Sequence, residues 1–340
     1  MKLKLSQFVA FELNQKALYE WCGKAAKSDK TATVIAQFMA RDPGATDWRS
    51  IGLACPIDAG RPVHDLDGTA RLLVVQFSER ILPASVRDEA LVKEIARIRE
   101  AEDRDLNKKE YAQIKEDVEY KLLPKAFIRR TNVPVLVYPD TLMICATAAK
   151  KIDDVYVLLC QLANARNVNA DAIPHVTVQS LAYFMGDVFK EGSSDCDNDI
   201  GDIYFSAGDF AKLKGEDKRA ITIKDRDVQH AEIQNVFSQP GYRVTEMALT
   251  MAAMSEEDLA TFVLNDRFAV KGIKLDDLIT NEHAEAKDSH ITAWLFARYN
   301  KMILDSLIRT LNQKVPDDES AVEAALEREV TGAVEDEEEL

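Results

Sequence analysis

KLLPKAFIRRTNVPVLVYPDTLMICATAAKK, residues 121 to 151, changes its periodicity twice within one run. Leu122 and Leu123 close an apolar stripe at Pro124, whose ring clashes with a continuing helix. Two β-rich segments, VPVLVY and TLMICAT, then flank Pro139-Asp140 and read as a β-hairpin with proline at a turn position. From Lys151 the chain returns to helical composition through KIDDVYVLLCQLAN, as far as Asn164. Helix, hairpin and helix in direct succession place the chain in the α+β class.

Upstream of this stretch, residues 85 to 123 carry two helical stripes: Val86, Leu91, Ile95 and Ile98, then Tyr111, Ile114, Val118 and Leu122. Ser85 with Asp88, and Asn107 with Glu110, have the spacing of helix N-terminal caps. Opposite charges lace both helices and the stripe is narrow, so one face packs and the rest meets solvent or a partner. Nearer the N-terminus, residues 8 to 13 alternate as a strand does, and residues 15 to 40 suit a helix. RLLVVQF, residues 71 to 77, is rich in β-branched and large apolar side chains, which completes a β-α-β start. The intervening RDPGATDWRS and PIDAGRPVHDLDG read as loops.

Downstream, residues 178 to 189 form a further helical stretch, and EGSSDCDNDIGD is a polar loop. Strand-like runs follow at residues 203 to 206, 220 to 224, 242 to 250, 262 to 265 and 268 to 275. A last helix over residues 289 to 312 carries the stripe Ile291, Trp294, Leu295, Met302, Ile303, Leu307 and Leu311. The expected organisation has a central α+β part from residues 1 to 80 and 131 to 190, and a charged helical part, 81 to 130, ending in a basic segment. A second α+β part covers 200 to 313, and an acidic disordered tail covers 314 to 340.

With 340 residues, 46% of them hydrophobic, the chain can bury one large core or two modest ones. No apolar run approaches the roughly 18 to 20 residues that cross a bilayer, and MKLKLSQFVAFELN lacks the long apolar core of a signal peptide; a cytoplasmic protein with no membrane partner is expected. Five scattered cysteines, with no C-x-x-C pair, indicate reduced thiols over a disulfide frame or a zinc ribbon. The net charge of -15 disfavours a polyanion partner at first sight. Residues 316 to 340, PDDESAVEAALEREVTGAVEDEEEL, account for -10 of it, so the body is only mildly acidic and leaves room for a local cationic surface.

Several chemistries have no support in the sequence. Neither G-x-x-x-x-G-K-[ST] nor G-x-G-x-x-G occurs, so ATP-driven work is not indicated. His64, His175, His230, His283 and His290 show no metal spacing and read as surface or loop residues. Asp195, Asp197 and Asp199 imitate the start of a calcium loop, but Ile200 stands where glycine is required and Ser206 where the bidentate glutamate belongs. No metal, no cofactor and no catalytic set is expected, and the chain does not read as an enzyme.

What remains is cationic. KLLPKAFIRR holds Lys121, Lys125, Arg129 and Arg130 with no acid, Lys150 and Lys151 open the next helix, and KLKGEDKRAITIKDR contributes Lys224 and Arg226 among others. Cations on turns and element ends can follow a phosphate backbone without reading bases. An ordinary solvated surface has the same composition, and both readings stand. Phe127 suits a subunit contact if it projects from a connection, or a core position under the hairpin.

These residues carry a resemblance. Ile81-Leu82-Pro83, the charged helices after it, Leu122-Leu123-Pro124-Lys125-Ala126-Phe127, the hairpin ending Met143-Ile144-Cys145-Ala146, and Lys150-Lys151 together resemble RdgC, the recombination-associated family of proteobacteria. The likeness is strongest from about residue 80 to 165 and continues through 221 to 227 and 262 to 311, where Val270-Lys271-Gly272-Ile273-Lys274-Leu275 keeps the pattern. The resemblance implies a horseshoe-like subunit with antiparallel sheets and long charged helices, closing as a ring-shaped homodimer around double-stranded DNA. Such a protein is nucleoid-associated, binds duplex without sequence preference and restrains RecA-dependent recombination. Lys125 and Arg129 match basic family positions, Phe127 matches an aromatic of the subunit contact, and Lys224 and Arg226 fall on a basic strip near the other contact or the hole.

The chain also departs from that pattern. Its loop at residues 191 to 202 is longer and acidic, its tail is an addition, and residues 85 to 120 hold more acids than bases. Two other readings therefore stay in play: a DNA exonuclease, and an acidic protein-interaction module that mimics DNA.

Overall fold

Strand β1 (Gln7–Leu13) buries Phe8 and Ala10 in alternation, as a half-covered strand does, and ends with Glu12 exposed and Leu13 buried. The fold is taken from a computed structural model that describes residues 3–13, 16–27, 35–57, 60–165, 172–174, 178–196, 203–215, 219–226, 228–237, 241–253, 258–277, 279 and 289–314. The calcium-like aspartates at 197 and 199, His175, His283 and the acidic tail lie outside these residues. The chain divides into two units, one of residues 1 to 173 with 285 to 298, the other of residues 174 to 284 with 299 to 340.

In the first unit, β1 is followed by α1 (Ala17–Lys27), β2 (Arg49–Ala54), β3 (Val63–Leu66) and β4 (Ala70–Ile81). Two charged helices, α2 (Ala84–Glu102) and α3 (Lys108–Leu122), lead through a 3-10 turn at Leu123–Lys125 into β5 (Phe127–Val137) and β6 (Thr141–Ile144). The helix α4 (Ala149–Asn164) and the short β7 (Ala172–Pro174) complete it. The strand order is β1-β6-β5-β4-β2 with β3 also on β4, so the expected β-α-β start exists in chain order but its strands are not neighbours. The β5–β6 hairpin is as read, and β5 begins six residues before Val133. That extension pairs with β4 in unbroken antiparallel register from Arg71–Val137 to Ile81–Phe127.

Helices α1 and α4 cover this sheet. Leu18, Cys22, Ala25 and Ala26 of α1, and Val155, Leu158, Leu159 and Leu162 of α4, pack with Leu73, Val75, Phe77, Val133 and Val135. Each valine, leucine and phenylalanine among them contributes roughly 1.5 to 3 kcal/mol on burial. Cys22, Cys55, Cys145 and Cys160 are free thiols, and burial pushes those of Cys22 and Cys145 up to about 12. Two strands of this unit lie where loops were expected, as does the strand Ser193–Cys196 of the second unit, inside the segment read as a polar loop. β3 ends in a turn with Asp67 at φ 50° and Gly68 at φ 79°, the left-handed pair that a tight hairpin uses. His64 of β3 meets His290 at 2.8 Å, and His290 meets Asp67 at 3.1 Å, so these two histidines form a fixed pair although their spacing in sequence suggested nothing.

The α2–α3 hairpin has a core of its own, Leu91, Ile114 and Val118, with Ile95, Ile98 and Leu122 against it. Val86 and Tyr111, assigned to the stripe, are exposed instead. Asn107 caps α3 as expected: its side chain accepts from the amides of Lys109 and Glu110 while Glu110 accepts from the Asn107 amide. Ser85 does not cap α2. The helix starts at Ala84 behind Pro83, and Asp88 is held by Arg87 at 2.9 Å.

The second unit has the order β10-β9-β11-β12-β13, with β8 on β9. Its elements are α5 (Val178–Glu191), β8 (Ser193–Cys196), β9 (Ile203–Gly215), β10 (Ala220–Lys224), α6 (Ala231–Phe237), β11 (Tyr242–Ala253), β12 (Asp258–Asn265) and β13 (Ala269–Leu275). The last helix, α7 (Ser289–Lys314), counts with the first unit to Arg298 and with the second thereafter. β9 is more than twice as long as the residues that suggested it. Phe184 of α5 stands edge-on to Phe205 at 6.0 Å, and Phe205 to Phe262 at 6.2 Å, which places the core on one side of this sheet. The strands from β8 to β13 pair antiparallel throughout, and the molecule is α+β with seven α-helices among the described residues.

Candidate nucleic-acid interface

The β4–β5 ribbon outruns its own core. β4 is buried from Ala70 to Val75 and ends exposed at Ile81, while β5 begins exposed at Phe127 and is buried only from Val133. Opposed residues of paired strands share a face, and faces alternate along the strand. Ile81 with Phe127 and Glu79 with Arg129 therefore line one face, and Arg49 of β2 stands across Glu79 on its other side.

On that face Arg129 donates to Glu79 at 2.8 Å, and Arg49 donates to Asp154 of α4 at 2.8 Å. Lys151, from the first turn of α4, reaches to 5.6 Å from the centre of the Phe77 ring. The hydrogen bond from Arg129 is the main cause holding the Glu79 carboxyl below its ordinary range; burial opposes it, and the charges of Arg129, Lys151 and Arg49 add to the lowering. Phe127 is 81% exposed at the tip of the same face, which excludes the core position and places it on a strand, not a connection.

Arg130 follows Arg129 directly and so points to the opposite face, where it donates to Asp42 at 2.7 Å. Beside it, Arg80 donates to the carbonyls of Leu123 at 2.8 Å and Pro43 at 3.1 Å, tying down the turn that carries Lys125. Lys125 and Lys150 are exposed, with no ion pair among the described residues. The structure thus joins Phe127, Arg129 and Lys151, adds Arg49, and separates Arg130 from them.

A larger cationic surface lies in the second unit. Along β12, Ala260, Phe262 and Leu264 are buried and the alternate residues face out. Register carries that outer face across the sheet: Lys274 opposite Thr261, Lys271 opposite Val263, Asn265 opposite Glu246, Glu246 opposite Lys212, and Arg243 opposite Lys214. On the far side of β9, Lys224 of β10 faces Phe210. Gly208 lies on this surface because a Cβ there would come to 2.9 Å from that of Ala248.

Lys212 and Lys271 converge on Glu246 at 2.6 and 3.1 Å. Burial raises the Glu246 carboxyl, and the two lysine hydrogen bonds with their charges outweigh it, so its pKa is lowered and the acid stays ionised. Lys214, Lys224, Arg243 and Lys274 have no ion pair among the described residues. Arg226 is exposed just beyond β10, its amide 3.5 Å from the Asp209 carbonyl. Of this face the sequence places Lys212, Lys214 and Lys224 in the basic segment KLKGEDKRAITIKDR and Lys271 and Lys274 in the family pattern, but only Lys224 is expected as a contact. The alternate lysines of KLK were visible, but Lys271 and Lys274 are three residues apart and share the face only through a register shift between them, and which strands stand side by side is a long-range fact.

Among the described residues no helix is long and apolar enough to cross a membrane, and no cluster of three or more potential metal ligands occurs. Residues 13 to 314 match the family model described as "Putative exonuclease, RdgC". The chain belongs to the RdgC family. Its similar relatives include "Recombination-associated protein RdgC" of Pseudomonas aeruginosa strain PAO1, 25% identical over 82% of this chain and 87% of the relative. Proteins of that same name from Pseudomonas entomophila and Pseudomonas putida GB-1 are 26% and 25% identical, each over 74% of this chain and 78% of the relative. Both cationic surfaces fall inside the RdgC match, and the acidic residues 316 to 340 fall outside it.

Proposed function

We propose that this RdgC-family chain binds double-stranded DNA without reading its sequence, as a homodimeric ring that closes through Phe127 and restrains RecA-dependent strand exchange, leaving the DNA uncut. The observation that carries the reading is the outer face of the second unit's sheet, where Lys212, Lys214, Lys224, Arg243, Lys271 and Lys274 surround Glu246. Five strands at about 4.8 Å spacing make a face about 20 Å wide, broader than the roughly 12 Å major groove, so it meets the phosphate ridges and not the base edges. Lysines dominate it, and lysine reaches phosphate as a point charge without the fork that reads a base. The overall negative charge is no obstacle, because screening at physiological salt limits its reach to about 8 Å.

A titration of the full-length protein on duplexes of unrelated sequence, across a salt series, tests this. The expected result is equal affinity for each sequence and, for about six phosphate contacts, a log-log salt slope near -5. A flat salt response, or a strong preference for one sequence, overturns it. The exonuclease in the family description is tested in the same tubes: magnesium-dependent loss of the duplex would establish a nuclease.

A further inference from the structure

We infer that the acidic C-terminal segment, residues 316 to 340, docks on the cationic sheet face of its own unit and competes there with DNA. The segment has eleven carboxylates and one base, and five of the acids are consecutive, Glu335, Asp336, Glu337, Glu338 and Glu339. It follows directly on α7, which ends at Lys314 within the second unit. Its 25 residues can extend to about 80 Å, which brings all of a unit this size within reach. Tethering raises the segment's local concentration to about millimolar, far above that of any free peptide.

Charge selects the site. In the first unit Arg49, Arg129 and Arg130 each already have a carboxylate, from Asp154, Glu79 and Asp42. Lys125 and Lys150, without an ion pair among the described residues, stand there on separate elements, a 3-10 turn and the start of α4, not on one sheet face. The second unit's face offers four cations without an ion pair among the described residues, Lys214, Lys224, Arg243 and Lys274, beside Glu246, which Lys212 and Lys271 already hold. A run of carboxylates spaced along an extended chain is the partner such a surface fits, and it needs no aromatic anchor, of which the segment has none. The segment lies outside the residues that the family model matches, so the family description says nothing of it.

The docking stands without the DNA reading, whereas the competition rests on it. Zero-length carbodiimide cross-linking of the full-length protein at low salt, with the joined peptides identified by mass spectrometry, tests the docking. Links from residues 335 to 339 to Lys214, Lys224 and Lys274, lost at high salt, are expected. Links confined to Lys301 and Lys314, which any loose tail reaches, overturn it. The competition is read from a full-length variant carrying Glu335→Gln, Asp336→Asn, Glu337→Gln, Glu338→Gln and Glu339→Gln. It should bind duplex about tenfold more tightly than the parent at low salt, with the gap closing as salt rises. Equal affinity overturns the competition. DNA binding by neither protein rejects the DNA reading itself and leaves the cross-links to decide the docking.

Discussion

Glu79 shows how one residue sets the availability of a candidate phosphate contact. It is held below its ordinary carboxylate range chiefly by the hydrogen bond from Arg129, with Lys151 and Arg49 nearby, and that same bond keeps Arg129 from a phosphate. The pair is exposed, with 62% of the Arg129 side chain and 33% of the Glu79 side chain open to solvent, so it is worth no more than about 1 kcal/mol. A phosphate can displace such a carboxylate at little cost. Glu79→Gln should therefore tighten DNA binding a few-fold at low salt while lowering the melting temperature only slightly. The sign with pH follows from the lowered pKa. The pair's stabilisation is complete above the unfolded glutamate value of 4.5 and disappears as pH falls through the lower folded value. Melting curves of parent and variant should accordingly differ at neutral pH and merge in acid; a difference that persists below both values would mean that the introduced amide disturbs packing rather than charge.

At the scale of elements, the α2–α3 hairpin is the weakest part of the first unit. Its own core is Leu91, Ile114 and Val118, against more than twenty buried residues beneath α1 and α4. Its stability leans on local terms, and the reciprocal cap of Asn107 and Glu110 is the strongest of these. Asn107→Ala should cost about 1 kcal/mol and speed amide exchange in α3 by about fivefold. Exchange in β4 and β5 should not change, and equal acceleration there would show that the hairpin is not an independent unit. That cap was legible in the sequence because both its hydrogen bonds are local. So was the β5–β6 hairpin, whose turn lies between two apolar runs. Ser85 misled because α2 starts at Ala84 behind Pro83, two residues too early for a cap at Ser85, and Arg87 takes the aspartate that would complete it. β2 and β3 were hidden by glycine and proline around them, although Asp67-Gly68 carried a hairpin signal. The cationic sheet face was illegible as a surface. Lys212 and Glu246 are 34 residues apart, Glu246 and Lys271 25, and only strand register makes them neighbours.

At the scale of the whole molecule, the proposed ring makes demands that the subunit alone does not. Phe127 at 81% exposure and its cross-strand partner Ile81 at 38% form an apolar tip beside Arg129 on a ribbon with little core beneath it. An isolated subunit gains nothing from an aromatic held out in water, whereas a second copy can bury it, and aromatic residues are enriched where subunits meet. Phe127→Asp would place a charge where the apolar contact forms, without touching either core. Sedimentation should then show weaker subunit association, while at a concentration where the parent is also dissociated the melting temperature should be unchanged, because a solvent-facing strand end tolerates the substitution. The ring adds a consequence that a simple dimer lacks. A closed ring leaves linear duplex at its ends but is trapped on a closed circle, so after a salt challenge the parent protein should stay on circular DNA and leave linear DNA. The Phe127→Asp variant, unable to close, should leave both at the same rate. Equal retention of the parent on circle and line would show that the DNA lies on the protein and is not enclosed by it.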